Sequence, residues 1–302
     1  MSKLLITILG PTASGKTALA IELAKYFNTE ILSADSRQFY KEMSIGTAKP
    51  TEQELAEVKH HFINTHSVTD TYTAGQYEDD ALAVLDKIFA EKDVAIMVGG
   101  SGLYINAVLY GIDPFPDIPM EVRKNVLRFY KENGLQALRD ELRKLDPEYF
   151  LEVDLDNPRR LMRAVEVCRA TGEPYSSFRK QKPKKRDFQS IEIAYSWERE
   201  TLYDRINERV DTMLATGLIE EAIALEKHKD LPALDTIGYK ELFAHFGGEY
   251  DLDRAAELIK RNSRRYAKRQ MTWFRSVASI AWFKPETSIE SFYQYIQNKL
   301  GS

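Results

Sequence analysis

The sequence has very little cysteine and no long apolar run. Its 302 residues contain a single cysteine, Cys168, which excludes an internal disulfide and fits a reducing compartment. No segment has the length and apolar character of a membrane span. An apolar strand pattern begins at Leu4, so we expect no signal peptide. These absences predict a cytoplasmic protein with no membrane association.

The sequence is also poor in histidine, and its five histidines form no metal-binding spacing. Catalytic zinc is therefore not indicated. Hydrophobic residues make up 43% and charged residues 29% of the chain, as in ordinary globular proteins. A chain of 302 residues is long enough for one or two domains.

The net charge of −4 conceals a concentration of basic residues. Six lie in 179–186 and seven in 260–275, and neither run contains an acidic residue. The rest of the chain therefore carries −17, the difference between −4 and +13. Concentrated basic charge is typical of a nucleic-acid contact, although either run alone is also compatible with a solvated helix face or loop.

The N-terminal region carries a phosphate-binding pattern, G-x-x-x-x-G-K-[ST]. It follows the strand pattern 4–9 and precedes a helical pattern, 17–26, which is the context that the motif requires. Its residues are Gly10, Pro11, Thr12, Ala13, Ser14, Gly15, Lys16 and Thr17.

The chemistry of this loop depends mainly on its backbone. Successive N–H groups form an anion nest, and the start of the following helix adds partial positive charge. Lys16 is expected to contact the terminal phosphate, and the Thr17 hydroxyl to bind Mg²⁺. The alternative is a glycine-rich turn that binds nothing. The pattern predicts a phosphorylated ligand but does not identify it.

Alternating strand and helix patterns predict an α/β fold with a parallel sheet flanked by helices, similar to that of P-loop NTPases. We expect strands at 3–9, 29–34, 94–98, 191–195 and 279–283. Helices are expected at 17–26, 74–91, 103–110, 199–217 and 260–275. A proline-rich break at 113–119 precedes helical patterns at 120–132, 134–145 and 158–171. We therefore predict a catalytic core of 1–116 and 190–302, with an all-helical insertion at 117–189.

Ligands of such sheets bind at the carboxyl ends of the strands. The second strand ends in Asp35-Ser36-Arg37-Gln38-Phe39-Tyr40, and the third in Gly99-Gly100-Ser101-Gly102-Leu103-Tyr104. We expect both turns to meet the phosphate loop in one cleft. Asp35 could be a helix cap, but its position beside the loop favours a chemical role. Arg205 and Arg209, four residues apart on one helix, are either ligands or surface charges.

Eight short motifs follow one another over nearly the whole chain. They are GPTASGKT (10–17), DSRQFY (35–40), GTAKP (46–50), GGSGLY (99–104), NPRRLMR (157–163), LYDRINER (202–209), IGYKEL (237–242) and KRQMTWF (268–274). Their order resembles that of the tRNA dimethylallyltransferases, the bacterial tRNA isopentenyltransferase family. This family more often has threonine at the position of Ser101, and serine keeps the hydroxyl.

This resemblance implies transfer of a dimethylallyl group from dimethylallyl diphosphate to N6 of adenine 37 of tRNA, with release of diphosphate. Asp35 would be the general base, and Lys16, Thr17 with Mg²⁺, and Arg209 would stabilise the diphosphate. The adenine would be flipped out of the anticodon loop, and the helical insertion would clasp the anticodon stem. We expect a monomer. The implied tRNA contacts are Asp35, Ser36, Arg37, Gln38, Ser101, Arg123, Arg159, Arg160, Leu161, Met162 and Arg163.

Two other functions are compatible with parts of the pattern. A small-molecule kinase would use ATP at the same loop, but it has no need of two basic runs. A non-catalytic RNA-binding module would explain those runs but would leave the phosphate loop and Asp35 without a role. Turnover of ATP with a small acceptor would favour the kinase.

Overall fold

The computed structural model describes residues 3–179 and 182–300. This chain divides into two compact units, one formed by 1–110 with 185–302 and the other by 111–184. None of the helices in the described part of the chain combines the length and the hydrophobicity that a membrane span requires. Lys180, a member of the first basic run, lies outside the described residues.

The first unit is built on a six-stranded parallel sheet with the order β3-β2-β4-β1-β5-β6. The predicted α/β class is therefore confirmed. The short edge strand β3 has no apolar pattern that would predict it. The strands are β1 (Leu4–Leu9), β2 (Ile31–Ala34), β3 (His60–His61), β4 (Val94–Gly99), β5 (Gln189–Tyr195) and β6 (Ile280–Phe283).

Thirteen helices are present in the described part of the chain. Those before β5 are α1 (Lys16–Tyr26), α2 (Glu52–Glu57), α3 (Ala74–Glu91), α4 (Gly102–Tyr110), α5 (Met120–Leu145), α6 (Pro147–Glu152), α7 (Pro158–Thr171) and α8 (Tyr175–Phe178). Those after it are α9 (Arg199–Ala215), α10 (Leu218–Leu225), α11 (Tyr239–Phe246), α12 (Leu252–Arg275) and α13 (Ile289–Leu300).

Both faces of the sheet are covered, which explains why its central strands are apolar throughout. In β1, Leu5 and Leu9 belong to a core cluster that includes residues of α3, α4 and α9 to α12. Leu4, Ile6 and Ile8 belong to the opposite cluster with α1 and α13. Because side chains alternate along a strand, one apolar run supplies both cores.

The boundary of the second unit differs from the predicted insertion. This unit begins at 111 rather than 117 and ends at 184 rather than 189. Arg186 explains why the C-terminal boundary of the unit lies at 184. Its guanidinium donates to the carbonyls of Ala107 and Val108 and to Glu78 of α3, all in the first unit. Phe188 packs against the same core, so the segment after 184 belongs to the first unit.

The second unit has its own core, formed by α5, α6 and α7. The predicted break between two helices is present as Gly134, whose φ of 77° lies outside helical geometry within α5. Asn157 caps α7 by accepting the N–H of Arg160, and Pro158 occupies the first turn, where its missing N–H costs nothing. Gly172 ends α7 in the left-handed conformation.

Candidate active site

The phosphate loop connects β1 to α1 in a conformation suited to binding an anion. Gly15 has φ of 85° and Ala13 has φ of 62°, and left-handed residues within a loop turn successive N–H groups toward one side. Lys16 and Thr17 are the first two residues of α1. The helix start, the loop amides and the Lys16 ammonium therefore occupy one region.

Two side chains from the segment after β5 hold the outer side of the loop. The indole N–H of Trp197 donates to the Ser14 carbonyl at 2.9 Å, and Nε of Arg205 donates to the Ala13 carbonyl at 2.9 Å. The Arg205 guanidinium also lies 4.5 Å from the centre of the Trp197 ring. Because C=O and N–H point in opposite directions across a trans peptide, the amides of Ser14 and Gly15 face away from this clamp. Arg205 is thus a loop-holding residue in this structure.

Lys16, Arg209 and Asp35 form a charged group at the carboxyl ends of the strands. Burial and, to a smaller extent, the neighbouring Arg209 charge lower the pKa of Lys16 to about 8, although Asp35 opposes both. Burial also lowers the pKa of Arg209, again opposed by Asp35. Two desolvated cations beside one carboxylate make a site that favours an added anion.

Asp35 begins a tight turn at the end of β2, where its carboxylate accepts the N–H of Arg37 at 2.9 Å. The next residue, Ser36, donates its N–H to the Ser101 hydroxyl at 3.1 Å. The turns after β2 and β4 are therefore joined, as expected from the parallel sheet. Tyr266 of α12 also lies here, and burial with the nearby Asp35 charge raises the pKa of Tyr266 to about 12.

Gln38 is fixed by internal hydrogen bonds in this structure. Its amide oxygen accepts from the Ser33 hydroxyl at 3.0 Å, and its amide nitrogen donates to the Thr47 and Ala48 carbonyls at 3.3 and 3.1 Å. A contact between Gln38 and RNA would have to use its remaining hydrogen-bonding capacity or replace these bonds.

The GTAKP motif is held from α10 as well as by Gln38. The Glu221 carboxylate accepts the N–H groups of Ser44, Ile45 and Gly46 at 2.8, 2.8 and 2.9 Å. Its Oε1 also accepts the hydroxyl of Tyr239, a member of the IGYKEL motif, at 2.6 Å. A side chain at position 46 would meet the Tyr239 ring at 2.7 Å, so glycine is required there by packing.

One further side chain reaches the phosphate loop from α12. The Gln270 amide oxygen accepts the N–H of Thr12 at 3.2 Å, and its amide nitrogen donates to the Gly100 carbonyl at 2.8 Å. Trp197, Tyr266 and Gln270 were not among the predicted site residues. Gln270 at least lies in the KRQMTWF motif, whereas Trp197 and Tyr266 have no distinguishing spacing.

The basic run of α12 separates into internal and exposed residues. Lys260 pairs with Asp211 at 2.7 Å, and Arg264 donates to Asn207 at 2.5 Å. The exposed members follow helical spacing, which places most of them on one face. These exposed residues are Arg265, Lys268, Arg269 and Arg275.

Two arginines of the first basic run form ion pairs within the protein. Arg186 forms the buried ion pair with Glu78 at 2.8 Å, and Arg179 pairs with Glu152 at 2.6 Å. Lys182 and Lys185 are exposed. An RNA contact by this run would therefore involve its lysines more readily than its arginines.

The second unit contains the remaining residues predicted to contact tRNA. Arg159 and Arg160 are exposed at the start of α7, and Met162 is half-buried. Leu161 is fully buried, with 0% exposure, so its side chain packs in the core of the unit and cannot contact RNA directly in this conformation. Its place in the motif is explained by packing.

Arg163 and Arg123 form a cluster with Glu166 in this unit. Arg163 lies 3.8 Å from the Glu166 carboxylate and 5.7 Å from the centre of the Phe115 ring. Burial raises the pKa of Glu166, and the charges of Arg163 and Arg123 oppose the shift. Nε of Arg123 is buried without a hydrogen-bond partner, which is unusual for a guanidinium.

The predicted Mg²⁺ requirement can be examined through the donor atoms of the site. Among the described residues there is no group of three or more His, Cys, Asp or Glu that could hold a metal. Mg²⁺ commonly binds through one or two protein oxygens together with phosphate oxygens and water. The partly buried Thr17 hydroxyl at the start of α1 fits that kind of site.

A parallel sheet with a phosphate-loop sequence after β1, and with a carboxylate and two cations at the same edge, is the arrangement of a P-loop protein. The family model described as IPP transferase matches residues 38–277. A tRNA dimethylallyltransferase of Christiangramia forsetii is 50% identical over 302 residues, covering 100% of both chains. The chain therefore belongs to the IPP transferase family.

Solved structures agree with this assignment. A crystal structure of a tRNA isopentenylpyrophosphate transferase from Bacillus halodurans has 37% identity and a TM-score of 0.73, covering 100% of this chain and 97% of that one. A eukaryotic dimethylallyltransferase acting on tRNA has 25% identity and a TM-score of 0.76, covering 94% of this chain and 74% of that one.

Proposed function

We propose that this protein transfers the dimethylallyl group of dimethylallyl diphosphate to N6 of adenine 37 in tRNA and releases diphosphate. The observation that carries the proposal is the grouping of Lys16, Arg209 and Asp35 beside the phosphate loop in a member of the IPP transferase family. Such a site can hold a diphosphate and accept a proton within the same cleft.

In this reaction a C–N bond forms between C1 of the allyl group and N6 of adenine, while the C1–O bond to the diphosphate breaks. Adenine N6 is a weak nucleophile because its lone pair is delocalised into the ring. Asp35 accepts the proton that N6 loses as the new bond forms. The pair of electrons from the broken bond leaves with the diphosphate.

Negative charge on the leaving diphosphate increases as the C1–O bond breaks. Lys16, whose ammonium donates to the Pro11 carbonyl of the loop at 3.2 Å in the free protein, would turn to the diphosphate and, with Arg209 and the loop amides, stabilise the developing charge. Bound Mg²⁺, held by the Thr17 hydroxyl and the diphosphate, would add further positive charge. Because the pKa of Lys16 is only about 8 in the free protein, binding of the diphosphate favours its protonated form.

The acceptor side of the site lies at the joined turns after β2 and β4. The target adenine has to leave the stack of the anticodon loop to reach Asp35, so the enzyme flips the base. Ser36, Arg37, Gln38 and Ser101 then lie near the flipped base. Arg123, Arg159, Arg160, Met162 and Arg163 of the second unit, and the exposed cations of α12, contact the RNA.

The reaction can be tested by mass spectrometry of an unmodified anticodon stem-loop incubated with dimethylallyl diphosphate and Mg²⁺. We expect a gain of one dimethylallyl group on adenine. Asp35→Asn keeps the oxygen that accepts the Arg37 N–H but removes the base, so we expect a rate at least 100-fold lower. Asp86→Asn changes the same charge at an exposed position of α3 and serves as the matched control.

Two outcomes would contradict the proposal. The first is ATP turnover with a small acceptor and no modified RNA, which would identify a kinase. The second is an Asp35→Asn rate equal to that of Asp86→Asn, which would remove Asp35 from the mechanism. The expected monomeric state can be checked in the same preparation by light scattering.

A further inference from the structure

Gln270 joins two segments that are far apart in sequence. Its amide spans the phosphate loop, at the Thr12 N–H, and the turn after β4, at the Gly100 carbonyl. The side chain is buried, with 8% exposure, and each end of the amide has a partner. A buried amide with both ends satisfied holds its partners at a defined separation.

The turn after β4 is shaped to receive this amide. A Cβ atom on Gly100 would lie 2.4 Å from Nε2 of Gln270 and 3.1 Å from the Gly10 carbonyl oxygen. Only glycine allows the amide, the turn and the phosphate loop to approach so closely. The turn at Gly100 therefore also lies close to Gly10, the first glycine of the phosphate loop.

The two joined segments belong to different halves of the reaction. Thr12 belongs to the loop that holds the diphosphate of the donor. Gly100 precedes Ser101, whose hydroxyl accepts the Ser36 N–H next to Asp35. Gln270 thus connects the loop that holds the donor with the turn that positions Asp35 and the acceptor adenine.

We infer that Gln270 is a positioning residue that sets the distance between the diphosphate loop and the adenine-binding turn, an inference that rests on the proposed function. Bond formation requires C1 and N6 to be held about 3–3.5 Å apart and in line, and an error of about 1 Å can reduce the rate about 100-fold. Each substrate can still bind to its own segment when the link is lost. The loss should therefore lower kcat much more than it raises either KM.

The experiment compares Gln270→Glu with Gln270→Met across pH. A protonated glutamic acid has the shape of glutamine, and it can donate its O–H to the Gly100 carbonyl while its other oxygen accepts the Thr12 N–H. An ionised glutamate has no hydrogen to donate, and it places negative charge against the Gly100 carbonyl. Methionine has a similar volume and makes neither bond.

The measured quantity is kcat of each variant divided by kcat of the wild type from pH 5.5 to 9. Titration of groups that both proteins share, including Lys16, cancels in this ratio. For Gln270→Glu we expect a ratio within threefold of one at low pH, falling at least tenfold as the carboxyl ionises. For Gln270→Met we expect a ratio of about 0.1 or lower at every pH, with both KM values within threefold of wild type.

A substitution at Gly100 disturbs the same contact from the side of the turn. Gly100→Ala places a methyl group against the amide of Gln270, so we expect the same selective loss of kcat. Thermal unfolding of each variant identifies any change caused by loss of the folded protein. A Gln270→Glu ratio that is flat with pH, or a Gln270→Met enzyme with wild-type kcat, would overturn the inference. Absence of prenylated RNA with the wild type would instead refute the proposed function.

Discussion

Donor binding should weaken above pH 8 because of Lys16. Burial and the neighbouring Arg209 charge lower the pKa of Lys16 to about 8, and we expect the proposed diphosphate donor to bind the protonated form. When the pH rises through this pKa, an increasing share of the free protein must take up a proton before it can bind the donor. The affinity for the donor should therefore decrease as the pH rises.

The size of the effect follows from one titrating group. At pH 7 about nine-tenths of the free protein carries a charged Lys16, and at pH 9 only about one-tenth does, which is a tenfold difference or about 1.4 kcal/mol. We expect kcat/KM for dimethylallyl diphosphate to fall about tenfold between pH 7 and pH 9. The decline should approach one decade per pH unit above pH 8.5.

The assay measures kcat/KM for the donor at saturating RNA from pH 6.5 to 9.5. Lys16→Arg retains its charge over this range, so its profile should lack the decline near pH 8 even though its activity is lower. Burial also lowers the pKa of Lys49 to about 8, which makes Lys49→Arg the matched control. That variant should keep the wild-type decline.

Two results would refute this reasoning. A wild-type profile that is flat to pH 9.5 would mean that the Lys16 ammonium is not needed in protonated form or titrates above that range. A decline that persists in Lys16→Arg and disappears in Lys49→Arg would assign the effect to the loop that contains Lys49.

Three further perturbations test other parts of the structure. Gly99→Ala would place its Cβ 2.2 Å from the Ala34 carbonyl oxygen on the neighbouring strand, so we expect a loss of about 3 kcal/mol in the free energy of unfolding, measured by urea denaturation. Trp197→Phe removes the N–H that binds the Ser14 carbonyl, so donor KM should rise about fivefold with little change in RNA KM. Arg160→Ala removes an exposed cation, so RNA KM should rise and its log–log salt slope should decrease in magnitude by about one.

Each of these perturbations has a control of the same chemical kind. Gly75→Ala lies in the first turn of α3, where its Cβ has nothing closer than 3.9 Å, and it should leave stability unchanged or slightly raised. Trp282→Phe changes a partly exposed ring on β6 and should leave donor KM unchanged. Arg128→Ala removes an exposed cation from α5. If RNA KM responds equally to Arg128→Ala and Arg160→Ala, the proposed contact at the start of α7 is wrong.

Much of the catalytic core could be predicted from local patterns. The strands β1 and β4 were predicted to within one residue, because a strand buried on both faces is largely apolar. Strand β5 was predicted to within two residues, because residues 191–195 alternate between apolar and polar side chains. The phosphate loop was predicted because its glycines, lysine and threonine occur at a spacing set by one conformation. The meeting of Asp35 and Ser101 with that loop followed from the rule that parallel strands end at the same edge.

Other elements lacked such a pattern. Strand β3 consists of His60 and His61, which are neither apolar nor β-branched, and it forms only because β2 offers an unpaired edge. Helix α12 begins at Leu252, earlier than the predicted 260, because Asp251 caps it. The first third of α12 carries both acidic and basic residues. The basic composition that marked the predicted helix therefore begins only at 260.

Chemistry that is local to one segment could be read from the residues alone: the anion nest, the lysine and hydroxyl that follow it, and the carboxylate after β2. Which charged and polar groups are available, and which are used in internal contacts, depends on the folded chain. Arg186 and Lys260 looked like members of basic surfaces but form ion pairs, and Leu161 of the NPRRLMR motif is in the core. The contact between Thr12 and Gln270 joins residues 258 positions apart. A local sequence pattern predicts the face of a helix or strand on which a side chain lies. The residue that this side chain contacts depends on how distant segments pack, which is determined only when the chain folds.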